Sequence, residues 1–399
     1  MRRLGVSILC ILCLAPSAVG AAKAGNATSN AGPDTAVYAM PRVDVVGRRE
    51  NLRNIPGSAY VLDSKTLENS RVFTTNEALR KLPGLAVRDE EGFGMRPNIG
   101  VRGLNPTRST KTTLLEDGVP LSYAPYGDNA SYYHPPIERF DHVELLKGAG
   151  QIQFGPQTIG GVINYVTPAP PSEVGGFVEV MGGSREYANG RVRLGGRGML
   201  VDYTQKEGRG ARDNINSRVH DLSFKTVLGA SRSLTLRANY FKESSQVTYS
   251  GLTQAEFDRL GRHYNPFEND DFQTQRSGAS ATHPLVLNPS AHLTTNLYVS
   301  YFDRDWWRQS SSTTDAQIGP NALAHRLAGD PINPDTIPTI QGRLREYTTF
   351  GLEPRVTHDH GVMGLDGELQ AGIKAHLEIQ DRKQENGASP DARTGTVVE

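Results

Sequence analysis

The chain has 399 residues, with 43 basic and 43 acidic side chains and 37% hydrophobic residues. Balanced charge excludes the global positive field that draws nucleic acid. The apolar share is low for a helical membrane protein but suits a barrel, whose strands turn only alternate residues to lipid. A chain of this length predicts about two domains.

The chain opens as a secretory signal over residues 1–22. Arg2 and Arg3 precede the apolar run Leu4–Ala15, and Val19-Gly-Ala21 or Gly20-Ala-Ala22 offers small residues for cleavage. That run is too short for the ~20 apolar residues that a spanning helix needs. Cys10 and Cys13 both lie inside it, so the mature chain carries no thiol, disulfide or thiolate metal site. With no later stretch of sufficient apolar length, any membrane entry after export must use a barrel. Residues 23–50 form a flexible N-terminus, rich in Ala, Gly, Asn and Thr, that carries a short extended run, Met40–Gly47.

Residues 51–171 read as a small mixed α+β domain. Ser58–Asp63 predicts a strand and Ser64–Asn69 a helical turn. Thr74 with Glu77 forms a capping box for a helix that turns Ala78, Leu79 and Leu82 inward and ends at Pro83-Gly84. Leu85–Arg88, Asn98–Leu104, Thr112–Glu116, Val119–Tyr123, Phe140–Lys147 and Val162–Thr167 are apolar or β-branched runs. Asp117-Gly118 between two of them is a hairpin signal. Gly148, Gly150, Gly155, Gly160 and Gly161 permit tight backbone between the last two.

Residues 172–399 change to period two. Leu369, Ala371, Ile373, Ala375, Leu377 and Ile379 alternate with Gln370, Lys374, His376 and Glu378, as a strand between lipid and a polar lumen requires. About nine such strands are predicted: 174–184, 189–196, 198–207, 217–229, 233–247, 276–286, 291–305, 345–358 and 366–381. Connections near 197, 230–232, 287–290 and 359–365 are short. Those near 208–216, 248–275 and 306–344 are long, giving the two unlike ends of a transmembrane barrel. A soluble β-sandwich is the rival, and the longest of these connections speaks against it.

The motifs of the first domain identify a family. Asn98–Pro106, Leu115–Pro120, Ala124–Gly127 and Phe154–Asn164 resemble, in order and spacing, the plug of TonB-dependent outer-membrane receptors, the ferric dicitrate branch in particular. The resemblance implies an α+β plug followed by an antiparallel transmembrane β-barrel of about 22 strands, so the present strands form a partial barrel and the chain is expected to be a fragment or a truncated product. It implies residence in the outer membrane of a Gram-negative bacterium, exported by a cleaved signal peptide. It also makes the extended run a TonB box (Val43, Asp44, Val45, Val46 and Gly47), which pairs as an added strand with TonB and its inner-membrane energising complex. Arg102, Gly103, Glu144, Gly148, Gly155, Gly160 and Gly161 take structural places in the plug, Arg102 and Glu144 as charges that pair internally or with the barrel wall. Lys147 stands where the family usually has Arg, which makes a two-pronged contact that Lys cannot.

No residue set predicts catalysis, a cofactor or a bound metal. Gly148–Gly155 lacks the ending of a phosphate loop, and Ser, His and Asp residues show no nucleophile elbow. Iron therefore enters only as a chelated substrate. A ferric chelate such as the dicitrate is anionic and calls for guanidinium and hydroxyl donors. Arg96, Arg108, Tyr123, Tyr126 and Tyr132 are the expected substrate contacts, with Lys111, Tyr133, Arg308, Arg326, Arg343 and Trp306-Trp307 beside them. Haem, cobalamin and other siderophores stay open as cargo, as does a receptor that binds without transporting.

Overall fold

A computed structural model of the chain describes residues 57–90, 95–128, 130–155, 158–229, 234–248, 250–309, 320–362 and 365–398. The TonB-box residues Val43–Gly47 and the signal segment lie outside the described residues.

The first domain begins with β1 (Ser58–Leu62) and α1 (Ser64–Ser70), capped by Asp63 accepting from the Thr66 amide at 2.8 Å. Helix α2 (Thr75–Leu79) starts at Thr74, whose hydroxyl accepts from the Glu77 amide, while Glu77 returns to the amide of Phe73, one residue before the cap. Ala78, Leu79 and Leu82 are buried, so the expected face is the real one. After β2 (Leu85–Asp89) and β3 (Pro97–Val101), β4 (Thr112–Glu116) turns into the short β5 (Val119–Pro120). Asp117 and Gly118 both take positive φ, 47° and 79°, as a tight hairpin demands. The expected strand to Tyr123 ends at Pro120, although the Leu121 amide still donates to the Leu114 carbonyl at 2.9 Å. Strands β6 (His142–Lys147) and β7 (Gly161–Val166) complete a sheet ordered β1-β6-β7-β4-β5, with β2 and β3 paired alongside.

The second domain is one antiparallel sheet: β8 (Gly175–Gly182), β9 (Ala188–Gly196), β10 (Met199–Arg209), β11 (Asn216–Leu228), β12 (Leu234–Ser245), β13 (Asp271–Asn288), β14 (Ala291–Arg308), β15 (Ile340–Val362), β16 (Leu365–Gly372), β17 (Ala375–Gly387) and β18 (Thr396–Val397). The predicted strand 366–381 is divided. β16 and β17 both pair with β15 along one unbroken register line, Arg355 opposite Gly372 and Leu352 opposite Ala375. The gap falls opposite Pro354, which has no amide hydrogen to donate to the ladder. β13 and β15 run longer than expected, since the ends of barrel strands continue into polar sequence that carries no apolar alternation.

Outward residues are apolar and exposed: Val178, Val180, Leu194, Val201, Leu222, Leu297, Phe350, Leu352, Leu377 and Ile379. The other face of the sheet packs on the first domain. Two of the long connections hold helices, α3 (Gln254–Leu260) and α4 (Pro320–Ala328). They are tied together by Arg326 on Glu256 at 2.6 Å and by Arg259 on Asp330 at 2.7 Å.

Candidate functional site

Parity along each barrel strand decides what reaches the lumen. On β14 the even residues Phe302, Arg304, Trp306 and Arg308 point in, and on β12 the odd residues Phe241, Glu243 and Ser245 do so. The apolar core is therefore continuous across the seam. Tyr123 of the plug stacks on Phe302 with centroids 4.4 Å apart and meets Tyr347 at 4.5 Å, and Tyr133 meets Phe241 edge-on at 5.0 Å. Aromatic pairs of this kind add ~0.5–1.5 kcal/mol each beyond burial.

Charged contacts cross the seam at three heights. Toward the short-turn end, Asp117 takes Arg237 at 2.7 Å, Lys225 at 3.3 Å and the hydroxyl of Thr167 at 2.6 Å. Burial works to raise the Asp117 pKa, but the two cations and the Thr167 hydrogen bonds outweigh it and hold the carboxyl well below the usual range. In the middle, Arg139 lies between Asp221 at 3.5 Å and Glu116 at 3.6 Å, with Nη1 donating to the Tyr133 hydroxyl at 3.0 Å. Glu138 takes Lys206 of β10 at 2.9 Å. Toward the long-connection end, Arg96 pairs with Glu243 and lies over the Phe272 ring at 4.0 Å. Further round the wall, Glu378 of β17 accepts the backbone amides of Tyr126 at 3.0 Å and Gly127 at 2.7 Å.

These placements sort the sequence expectations. Arg96 and Tyr123 are 2% and 1% exposed and serve the seam, so with the plug seated neither faces open space. Tyr132 is buried at the long-connection end, with the Arg304 guanidinium over its ring at 4.6 Å, Arg108 at 5.4 Å and Trp306 edge-on at 5.5 Å. Tyr126 is half-buried against His376, at 4.7 Å. Arg326 is committed to Glu256, and Trp307 is buried on the opposite face of β14 from Trp306.

Among the plug residues, Gly103, Gly148, Gly155 and Gly161 have positive φ. A Cβ on Gly160 would lie 2.6 Å from the Lys111 carbonyl oxygen. Arg102 is exposed at φ 51°, whereas Glu144 is fully buried and accepts from Asn164 at 2.8 Å. Lys147 does not reach the wall; its Nζ donates to the Pro83 carbonyl at 2.7 Å, inside the plug.

Four arginines share the lumen faces of β14 and β15 beyond Tyr132. Arg304 and Arg345 are directly opposite in the β14–β15 register, Arg343 is opposite Trp306, and Arg308 caps the row with its guanidinium 4.4 Å over the Trp306 ring. Like charges directly opposite destabilise a sheet, and an anion lying among them offsets that repulsion. Sequence reasoning named Arg308 and Arg343 but missed Arg304 and Arg345, and missed the wall partners Lys225, Arg237, Asp221 and Lys206. The signal was present in their parity, since each falls on the lumen side of a strand whose other side is apolar.

Residues 51–162 match the family model described as TonB-dependent Receptor Plug Domain. Among curated proteins, the chain is 27% identical over 272 residues to the vitamin B12 transporter BtuB of Vibrio vulnificus, covering 65% of this chain and 42% of that one. It is 25% identical over 211 residues to the ferric enterobactin receptor PirA of Pseudomonas aeruginosa, covering 48% and 28%. Among solved structures, the unliganded ferric citrate transporter FecA superposes with a TM-score of 0.71 at 21% identity, covering 90% of this chain and 52% of that one. Pseudomonas aeruginosa FpvA bound to a heterologous pyoverdine superposes at 0.61 and 17% identity, covering 87% and 46%. The chain thus spans about half the length of these relatives or less. Its fold is a plug domain seated against part of a FecA-like barrel.

Proposed function

We propose that the chain is the plug and first part of the barrel of a TonB-dependent outer-membrane receptor that imports an anionic ferric chelate of the citrate class. The observation that carries the reading is the grouping of Arg304, Arg308, Arg343 and Arg345 on the lumen faces of β14 and β15 at the long-connection end, with Arg304 over Tyr132 and Arg308 over Trp306. Guanidinium groups bind carboxylates in two-pronged fashion, and the flanking rings supply a desolvated wall that strengthens each contact. The long connections face outward, and the short turns face the periplasm.

No step of this process needs catalysis by the chain. Cargo binding outside releases the Val43–Gly47 box inside, TonB adds to it as a strand, and the pull displaces the plug. Vitamin B12, the cargo named for one relative, has no carboxylate for a two-pronged guanidinium contact. The test is uptake and surface binding of iron-55 ferric citrate by iron-starved cells of the host. Deletion of residues 40–47 abolishes uptake and leaves binding intact. Substitution of Arg304 and Arg345 by Gln weakens binding at least tenfold. Competition by vitamin B12 with no binding of ferric citrate would overturn the cargo assignment.

A further inference from the structure

The seam carries a row of cations that leads down from Arg304 of the outer site. Arg304 lies opposite Thr274 in the register, and Arg276 on β13 lies opposite Phe302, one inward position closer to the short-turn end. Arg237 on β12 lies opposite Ser280, further in the same direction, and Lys225 on β11 is directly opposite Arg237. The row descends across four neighbouring strands.

Each cation is covered by a plug group. The Arg304 guanidinium lies 4.6 Å from the Tyr132 ring and that of Arg276 4.7 Å from the Tyr133 ring, while Asp117 holds Arg237 at 2.7 Å and Lys225 at 3.3 Å. The cover is incomplete at two of them. Arg304 and Arg276 are each 5% exposed, yet the Nε of each has no hydrogen-bond partner among the described residues. A buried donor left without a partner costs free energy. A cavity between the β4–β5 hairpin and the wall, lined by Glu116, Arg237, Arg276, Ser280, Tyr298 and Thr349, borders the same row.

From this geometry we infer that Arg276, Arg237 and Lys225, leading down from Arg304 of the outer site, form a ladder of anion-holding stations along which a carboxylate-bearing cargo passes down the wall when the plug withdraws, the plug's Tyr133 and Asp117 occupying those stations while it is seated. The inference rests on the anionic-cargo reading above. Asp117 and a cargo carboxylate are then competing ligands of the same guanidinium. Several stations in series also avoid one deep trap, because binding must be weak enough at each to let the anion leave.

The test compares two ways of breaking one ion pair. In the host, with the gene altered at its own locus, Arg237→Gln and Arg276→Gln lower iron-55 ferric citrate uptake at least tenfold without changing surface binding. Asp117→Asn, which breaks the same plug contact but keeps the station, leaves uptake at or above the wild-type rate. Equal losses in Asp117→Asn and Arg237→Gln would reduce the pair to a plug anchor and overturn the ladder, as would wild-type uptake in both arginine variants. A second measurement does not depend on the cargo transported. In the purified chain, citrate lowers the urea midpoint for plug release relative to chloride at equal ionic strength, and Arg237→Gln diminishes that shift. An unchanged shift overturns the ladder. A shift lost in the variant, in a host that imports no ferric citrate, overturns only the cargo reading.

Discussion

Arg139 is the residue whose loss should be felt most at the seam. It is 1% exposed and touches Asp221 on the wall, Glu116 on the plug and the hydroxyl of Tyr133. Arg139→Leu strands two buried carboxylates, and removing one partner of a buried pair costs about 3–5 kcal/mol. That raises the displaced-to-seated ratio of the plug roughly 140- to 3,700-fold, at about 1.4 kcal/mol per factor of ten. Protease access to the plug, followed against urea, reads the change as a lowered midpoint. The double variant Arg139→Leu with Asp221→Leu recovers part of the loss, because one of the stranded charges is gone. A midpoint for Arg139→Leu equal to wild type, or a double variant that loses the sum of both singles, would refute the reasoning.

Further expectations concern the plug alone and its clamp. His142 is pulled down by burial but raised to about 9 by the hydrogen bonds and charges of Asp141 and Glu144. Its stabilising contribution is complete below the ordinary value of 6.5 and is lost as pH rises through about 9. Thermal melts of the plug should fall between neutral pH and that point, and His142→Gln should flatten the slope. Glu378→Gln weakens the two amide contacts at Tyr126 and Gly127, at a cost of about 1–3 kcal/mol. Hydrogen exchange at those two amides should rise while that of β4 does not, and unchanged exchange would count against the clamp. Gly160→Ala places a Cβ against the Lys111 carbonyl oxygen at 2.6 Å and should lower plug stability, whereas Gly103→Ala meets no atom within 4 Å and suffers only from its positive φ. Equal midpoints for the Gly160 variant and wild type would show that the segment before β4 yields freely.

Much of the fold was legible in the sequence because its signals are local. Asp117-Gly118 specifies a hairpin by its backbone preferences alone, and Ala78, Leu79 and Leu82 mark a helix face by spacing. Alternation gave the lipid-facing strands for the same reason. The break at Ile373-Lys374 was hidden because its cause, Pro354, sits on the neighbouring strand, and only the register shows that the two are opposed. The site was less legible for a similar reason. Arg96 and Tyr123 carry the right chemistry for an anionic cargo, but Glu243 and Phe302, far off in the chain, already occupy them. Arg304 and Arg345 become one feature only when β14 lies against β15.

The central claim is best tested by iron-55 ferric citrate uptake in iron-starved host cells, with the gene intact or deleted and TonB present or absent. The account predicts uptake that requires both the gene and TonB. Uptake that survives loss of TonB, or that is unchanged by deleting the gene, would contradict it.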